Sequence, residues 1–253
     1  IEVPLDVMGE DVPDDWVHVP AFKAKSAPDP SDVKEAAALL AGADHPVIYA
    51  GQGIHYAKAW KELKELAEQW NIPVTTSIEG KSAFPEDHPL SLGSGGRANS
   101  RPVKRYLEES DLILGLGVSF ALTAFGVPMP PGKKIIHATL DPMDLNKDVP
   151  ADIGLIGDAK LTLAALNSEL SNADNSKAAA RANEPEKINE LKEEWMQEWL
   201  PKLTNNEAPI NPYRVVAELN QLVDKEKVVI THDAGSPRDQ ITPFWESTAP
   251  LSY

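Results

Sequence analysis

A doubly wound α/β fold with a parallel sheet of about six strands is the class this sequence predicts. Three observations point there. Runs such as Val47-Ile48-Tyr49-Ala50, Leu112-Ile113-Leu114-Gly115-Leu116 and Ile135-Ile136-His137-Ala138-Thr139-Leu140 show no apolar/polar alternation, as expected of strands buried on both faces. Segments with apolar residues at helical spacing separate them. Two runs close in Gly-x-Gly, at Gly51-Gln52-Gly53 and Gly115-Leu116-Gly117, the way a buried strand hands the chain to a helix beside a ligand crevice.

Taken in order, Ile1-Glu2-Val3-Pro4-Leu5-Asp6-Val7 alternates and reads as a short strand with no helix before it. Residues 12–30 hold four prolines among acidic residues and read as a linker. Ser31 or Asp32 can cap a helix whose Val33, Ala36, Ala37 and Leu40 share a face, stopped by Gly42. After the 47–50 strand, Trp60, Leu63, Ala67 and Trp70 mark a second helix ending near Asn71, followed by a short strand, Pro73-Val74-Thr75-Thr76. Residues 78–97 read as irregular. Ser100 can cap a helix with Val103, Tyr106 and Leu107 inward. The strands at 112–116, 135–140 and 153–156 follow, and Asp158 caps a helix with Leu163, Leu166 and Leu170. This makes residues 31–171 one α/β domain.

Residues 171–183 are polar and Ala-rich, a second linker. The charged helix from Glu184 carries a stripe of Ile188, Leu191, Trp195 and Trp199, which by its period packs on a neighbour rather than holding a ligand. Residues 172–206 thus read as a helical linker. Asn211 then caps a helix with Pro212 at its first position and Val215, Leu219 and Leu222 inward. Lys227-Val228-Val229-Ile230-Thr231 reads as a strand with the loop His232-Asp233-Ala234-Gly235-Ser236-Pro237 at its end, so that 207–253 is the start of a second α/β unit.

Composition narrows the function. A length of 253 residues allows one large or two ordinary domains, and 42% hydrophobic with 25% charged residues is ordinary for a soluble globular chain. The net charge of −15 argues against a nucleic-acid partner, which needs clustered Lys and Arg, and fits a soluble cytoplasmic enzyme or a salt-tolerant one. No apolar run approaches the roughly 20 residues of a membrane span, and no signal-peptide pattern opens the chain. With no Cys there is no disulfide, thiolate nucleophile or Cys-ligated zinc. The first residue is Ile1, which suggests processing or a piece of something longer.

Among the motifs, Gly51 and Gly53 lack the third glycine of a dinucleotide fingerprint, since position 56 is Tyr; they are either a tight turn or the edge of a nucleotide crevice. Asp141 follows a strand and is placed to meet a ribose hydroxyl if a nucleotide is bound, whereas Asp158 is most simply a helix cap. Gly80-Lys81-Ser82 is not the end of a P-loop, because Thr75 stands where the first glycine belongs and Pro85 interrupts the helix that must come next. Gly93-Ser94-Gly95-Gly96-Arg97 could cradle an anion, but its composition favours a loop. The six His show no metal-ligand spacing, and only His88 and His232 sit in loops worth following. The backbone amides and hydroxyl of Asp233-Ala234-Gly235-Ser236 could hold a diphosphate.

Together these segments resemble the thiamine-diphosphate-dependent enzymes of the acetolactate synthase and pyruvate oxidase group. The resemblance lies in an ordered set: Glu2-Val3-Pro4-Leu5-Asp6, Ala41 onward to Gly53, Ile72-Pro73-Val74-Thr75-Thr76, Gly80-Lys81-Ser82, Pro85-Glu86-Asp87-His88-Pro89-Leu90, the 110–117 run, the 135–141 run and Ile156-Gly157-Asp158. It implies that 1–30 closes a pyrimidine-binding domain, 31–171 is the central domain and 207–253 opens a pyrophosphate-binding domain. It also implies that Asp233, Gly235 and Ser236 meet the diphosphate of thiamine diphosphate. Where flavin-binding relatives carry Arg and acidic residues, this chain reads Val118-Ser119-Phe120-Ala121-Leu122-Thr123, which counts against FAD and for a vacant or differently occupied crevice. The family's activating Glu and its Gly-Asp-Gly magnesium motif have no counterpart here, so no catalytic residue or metal ligand is assigned and the isolated chain is expected to be inactive. The complete enzyme is expected to decarboxylate and ligate 2-oxoacids as a homodimer or homotetramer. The rival reading is a freestanding Rossmann-like module binding FAD, ADP or NAD through Gly51, Gly53 and Asp141; a third is a purely structural spacer.

Overall fold

In the computed structural model, which describes residues 3–20, 24–124 and 126–253, the chain opens on an exposed stretch with one 3-10 turn at Val7–Gly9. The strand expected over 1–7 is not there in its described part, and Ile1 and Glu2 lie outside the described residues. Val3, Leu5 and Val7 alternate correctly, but a strand needs a paired neighbour, and all three are exposed.

Helix α1 (Pro30–Gly42) starts slightly earlier than expected. Its cap is Asp29, whose carboxylate accepts from the Ser31 amide at 2.8 Å, with Pro30 supplying a preset φ at the first position. Strand β1 (Pro46–Ala50) runs into α2 (Gly53–Ala57) and α3 (Trp60–Trp70), which Asn71 ends in a left-handed conformation at φ 48°. Next come β2 (Val74–Thr76), β3 (Ser91–Ser94), α4 (Arg101–Glu109), β4 (Leu112–Leu116), β5 (Lys134–Thr139) and β6 (Ile153–Ile156). Asp158 caps α5 (Ala159–Leu170), accepting from the amides of Lys160 and Leu161. After it come α6 (Ser176–Ala180), α7 (Glu184–Leu203), α8 (Pro212–Leu222) and α9 (Ser236–Ile241).

The six strands form one wholly parallel sheet in the order β3-β2-β1-β4-β5-β6. Every residue of β1 and β4 is buried, so both faces of the sheet centre are covered. This is the doubly wound architecture expected, and the order reverses between β1 and β4. Strand β3 lies inside the stretch expected to be irregular. Ser-Leu-Gly-Ser carries one large apolar side chain, too little for a periodic signal, and pairing with β2 makes it a strand.

The expected linker 171–183 is built into the domain. Arg181, 4% exposed, donates to the Ala43 carbonyl at 2.9 Å and to the Trp70 carbonyl at 2.9 and 3.3 Å. These are the carboxyl ends of α1 and α3, where the helix dipole favours a cation. The stripe on α7 divides: Ile188 enters the main core, while Trp195 and Trp199 pack on Phe244 at ring separations of 5.0 and 4.8 Å. A second, smaller core forms there from Leu203, Val216, Phe244 and Trp245. Asn211 caps α8 as expected, accepting from the Tyr213 amide at 3.1 Å, but the inward face differs. Val215, Leu219 and Leu222 are exposed, and Val216 is the buried residue, because Phe244 and Leu203 offer their surface to it. Residues 227–231 are not a strand. They lack a ladder partner among the described residues and make one bond of this kind, Ile230 N to the Ser252 carbonyl at 2.9 Å.

Candidate functional site

The crevice at the strand reversal is floored by glycine backbone. A Cβ on Gly51 would lie 2.3 Å from the Gly117 carbonyl oxygen, and one on Gly53 would lie 2.6 Å from Gly117 Cα. Gly80 approaches as closely, 2.5 Å from the Ala50 carbonyl. The two Gly-x-Gly turns therefore use their missing side chains to pack main chain on main chain. Their amides are committed as well: Gly51 N donates to Leu116 and Gly53 N to Gly117, both at 2.9 Å. A phosphate seeking donors here would have to displace backbone hydrogen bonds between the two turns.

Tyr49, Ser77, Glu79, Val118, Phe120 and Thr123 are among the residues lining this crevice of about 160 Å³. Phe120, held at φ 51°, lays its ring over Gly115, where a Cβ would come within 2.3 Å of it. The ring stacks on Tyr49 at 5.9 Å and meets His137 edge-on at 4.8 Å. His137 is fully buried; its Nε2 donates to the Val118 carbonyl at 2.7 Å and its Nδ1 has no partner. Burial holds this imidazole below its ordinary value, and burial, then the Glu79 charge, raises the Tyr49 hydroxyl. Glu79 is the one charged side chain in the lining among the described residues, and its sign disfavours a nucleotide diphosphate. Asp141 does not line the crevice. It is exposed and caps the turn Pro142–Asp144, accepting from the Met143 amide at 2.9 Å.

Asp233, Gly235 and Ser236 form a separate, exposed loop that opens α9. Gly235 has φ 88°, and a Cβ there would meet nothing within 4 Å, so its backbone faces open space. The loop is held by local bonds: Ala234 N to Asp233 Oδ1 at 2.7 Å and His232 Nδ1 to the Asp233 carbonyl at 2.9 Å. This open turn is sterically fit for a diphosphate, as the glycine floor of the crevice is not. His88 is spent on structure, accepting from the Leu90 amide and pairing with Glu68. Among the described residues no group of three His, Cys, Asp or Glu could hold a metal ion, and no helix is long and apolar enough to cross a membrane.

The sequence shows the members of one further cluster only as a rejected phosphate motif and part of a family string. Lys81, 1% exposed, donates to both carboxylate oxygens of Glu86 at 2.6 and 2.5 Å and to the Trp245 carbonyl at 2.8 Å. Glu86 also accepts from Ser94 Oγ at 2.6 Å and from the Ser247 amide at 2.8 Å, and its own amide donates to the Ser247 carbonyl at 2.9 Å. Burial draws the Lys81 ammonium down, against the pull of Glu86. Gly80-Lys81-Ser82 is thus a structural element, with the glycine packed on β1 and the lysine in an ion pair. A Lys and a Glu five residues apart announce nothing by themselves, since the groups they hold lie far along the chain.

Comparison with known proteins agrees with this geometry. Residues 33–166 match the family described as "Thiamine pyrophosphate enzyme, central domain". The chain is similar to a protein named "Probable acetolactate synthase large subunit" from Methanocaldococcus jannaschii, 33% identical over 94% of this chain and 40% of that protein. A protein of the same name from Methanococcus aeolicus is 30% identical over 100% of this chain and 43% of its own length. An acetolactate synthase from Mycobacterium avium is 34% identical over 66% of this chain and 28% of its own length. The chain thus spans less than half the length of these curated relatives. By the match over 33–166 and the six-stranded parallel sheet that those residues build, the chain belongs to the thiamine pyrophosphate enzymes and carries their central domain.

Proposed function

We propose that this chain is the central part of a thiamine-diphosphate-dependent enzyme of the acetolactate synthase kind, which decarboxylates a 2-oxoacid and transfers the remaining unit to an acceptor. The observation that carries this reading is the match over residues 33–166 together with relatives aligned along nearly the whole chain. The cofactor, when bound, supplies the electron sink for decarboxylation, and the protein supplies orientation and exclusion of water. Asp233, Gly235 and Ser236 are the residues of this chain assigned to the diphosphate, supported by the open backbone at Gly235. The activating acid is assigned to the rest of the pyrimidine domain and the magnesium ligands to the rest of the pyrophosphate domain; no Gly-Asp-Gly occurs among these 253 residues. The chain alone is accordingly inactive, and the complete enzyme is a cytoplasmic homodimer or homotetramer.

On this reading 1–30 closes the pyrimidine domain, 31–171 is the central domain, 172–206 packs on it through Arg181 and leads to the next, and 207–253 opens the pyrophosphate domain. The backbone floor and the Phe120 ring support a reading in which the crevice at Gly51 and Gly53 has no FAD, ADP or NAD role. The test is calorimetry and CO2 release on the gene product carrying this sequence, with thiamine diphosphate, Mg²⁺ and a panel of 2-oxoacids. Cofactor binding with CO2 from one substrate is the expected result. A product that binds no thiamine diphosphate and releases no CO2 sinks the proposal.

A further inference from the structure

The segment Phe244 to Ser247 is held on two sides in alternation. The Phe244 carbonyl accepts from Asn220 Nδ2 at 2.6 Å and the Glu246 amide donates to Asn220 Oδ1 at 3.2 Å, which ties these residues to α8. The Trp245 carbonyl and both backbone groups of Ser247 turn the other way, onto Lys81 and Glu86 of the central domain. The segment is a bracket between the two hydrophobic cores. Ahead of it in the chain, α9 buries none of its residues, and the Asp233 to Ser236 loop is held by local bonds. Residues 238–241 of α9 are half-buried and the helix packs on α8, so the orientation of that loop follows from this contact together with residues 241–253. Phe244 N and Trp245 N donate back to the Ile241 carbonyl at the end of α9, at 3.1 and 2.7 Å. Tyr253, whose ring lies 5.2 Å from Lys81 Nζ, bonds its hydroxyl to Thr242 Oγ1 at 2.9 Å and packs on His232 at 5.1 Å.

We propose that the buried Lys81–Glu86 pair is a positioning latch that fixes the Phe244 to Ser247 bracket on the central domain and thereby aims the Asp233 to Ser236 loop at the cofactor diphosphate. The aiming of a cofactor rests on the function proposed above; the latch does not. Both residues are buried, so each acts through the backbone groups it holds. A buried ion pair is no better a source of stability than two apolar side chains of the same volume, but apolar side chains cannot direct hydrogen bonds at one carbonyl and one amide. Direction is what the bracket requires. Lys192 adds a further strut, donating from α7 to the Glu86 carbonyl at 3.2 Å.

Two measurements test this. In the 253-residue chain, hydrogen exchange should show the Ser247 amide protected like the β1 amides, and about tenfold or more above Ala234 and Gly235 in the loop. The volume-conserving double variant Lys81→Met/Glu86→Leu should lower protection across 232–253 by about tenfold or more while leaving β1 and β4 within about threefold of wild type. Exchange of Ser247 at the loop rate in the wild-type chain overturns the latch, as does an equal loss across the whole sheet in the variant. In the gene product, the same variant should raise the Kd for thiamine diphosphate about tenfold and leave kcat at saturating cofactor within about threefold, a split that general destabilisation does not produce. A kcat loss with unchanged Kd contradicts the aiming role. A wild-type product that binds no cofactor refutes the proposed function, and the exchange measurement still decides the latch.

Discussion

Substitution of Gly53 by Ala tests what the glycines at the strand reversal are for. The added Cβ would sit 2.6 Å from Gly117 Cα and 3.0 Å from its carbonyl oxygen. Carbon atoms in contact rest about 3.5–4.0 Å apart, so the overlap is on the order of 1 Å. Neither side can yield by turning a side chain, because both are main chain. Gly117 is further fixed at φ 61° by its amide on the Ala138 carbonyl at 2.8 Å and by the Gly53 amide on its own carbonyl at 2.9 Å. Overpacking of this kind costs about 1–3 kcal/mol. Gly53 opens α2 at an ordinary φ, so Ala recovers up to about 1 kcal/mol of chain entropy. The net loss is about 1–2 kcal/mol, or roughly 2–8 °C in Tm for a chain of this size. Scanning calorimetry reads it, with Gly42→Ala as the control, because a Cβ at Gly42 meets nothing within 4 Å and the same entropy gain should raise Tm. A Gly53→Ala protein that melts at or above wild type, yet binds a nucleotide less well, would show that the glycine serves a ligand instead of a packed turn.

Three further outcomes are expected from the same geometry. Arg181→Met should lower stability by about 2–3 kcal/mol, measured by urea unfolding, since it strips two buried helix-end carbonyls of a charged donor; an unchanged midpoint refutes that account. Phe120→Ala should cost about 3 kcal/mol by the same assay, as the ring is 6% exposed and covers Gly115, and a loss under about 1 kcal/mol means the ring only rests on the crevice. His137 gives a pH signature. Charging it would bury an ammonium-like ring and leave the partnerless Nδ1 as a second donor, so its folded pKa lies below the ordinary 6.5. A depressed folded pKa contributes stability that is fully present above 6.5 and lost as pH falls through the folded value. The urea midpoint should therefore drop more steeply with acidification in wild type than in His137→Gln, and parallel profiles for the two proteins would contradict the assignment.

The sheet was legible because parallel strands buried on both faces write themselves as unbroken apolar runs, as Val47 to Ala50 and Leu112 to Leu116 do. Strand β3 was not, since an edge strand of Ser-Leu-Gly-Ser takes its identity from β2 alone. The error at 227–231 is the reverse case: the apolar run is real, but propensity without a paired neighbour makes no ladder. On α8 the period was right and the phase wrong, because Phe244 decides which face is inward and its position is a tertiary fact. The site divides in the same way. The glycine turns at Gly51, Gly53 and Gly117 could be located by pattern, whereas what their backbones approach could not. Lys81 and Glu86 were visible only as a failed phosphate motif and part of a family string. Their partners Trp245 and Ser247 lie more than 150 residues onward, beyond any local pattern.

The backbone floor at the β1–β4 reversal also bears on how such a domain can change over generations. Three glycines and two backbone hydrogen bonds between the turns make a surface whose shape does not depend on any side chain, so substitution cannot remodel it gradually; a mutation there is either silent in shape or disruptive. The described residues among 118–127 above it are irregular and partly exposed, and replacing Glu79 alters the charge of the lining without touching the fold's centre. Heritable variation in what the crevice accepts is thereby channelled into one loop and a few wall positions. Change at those positions leaves the six strands beneath in register.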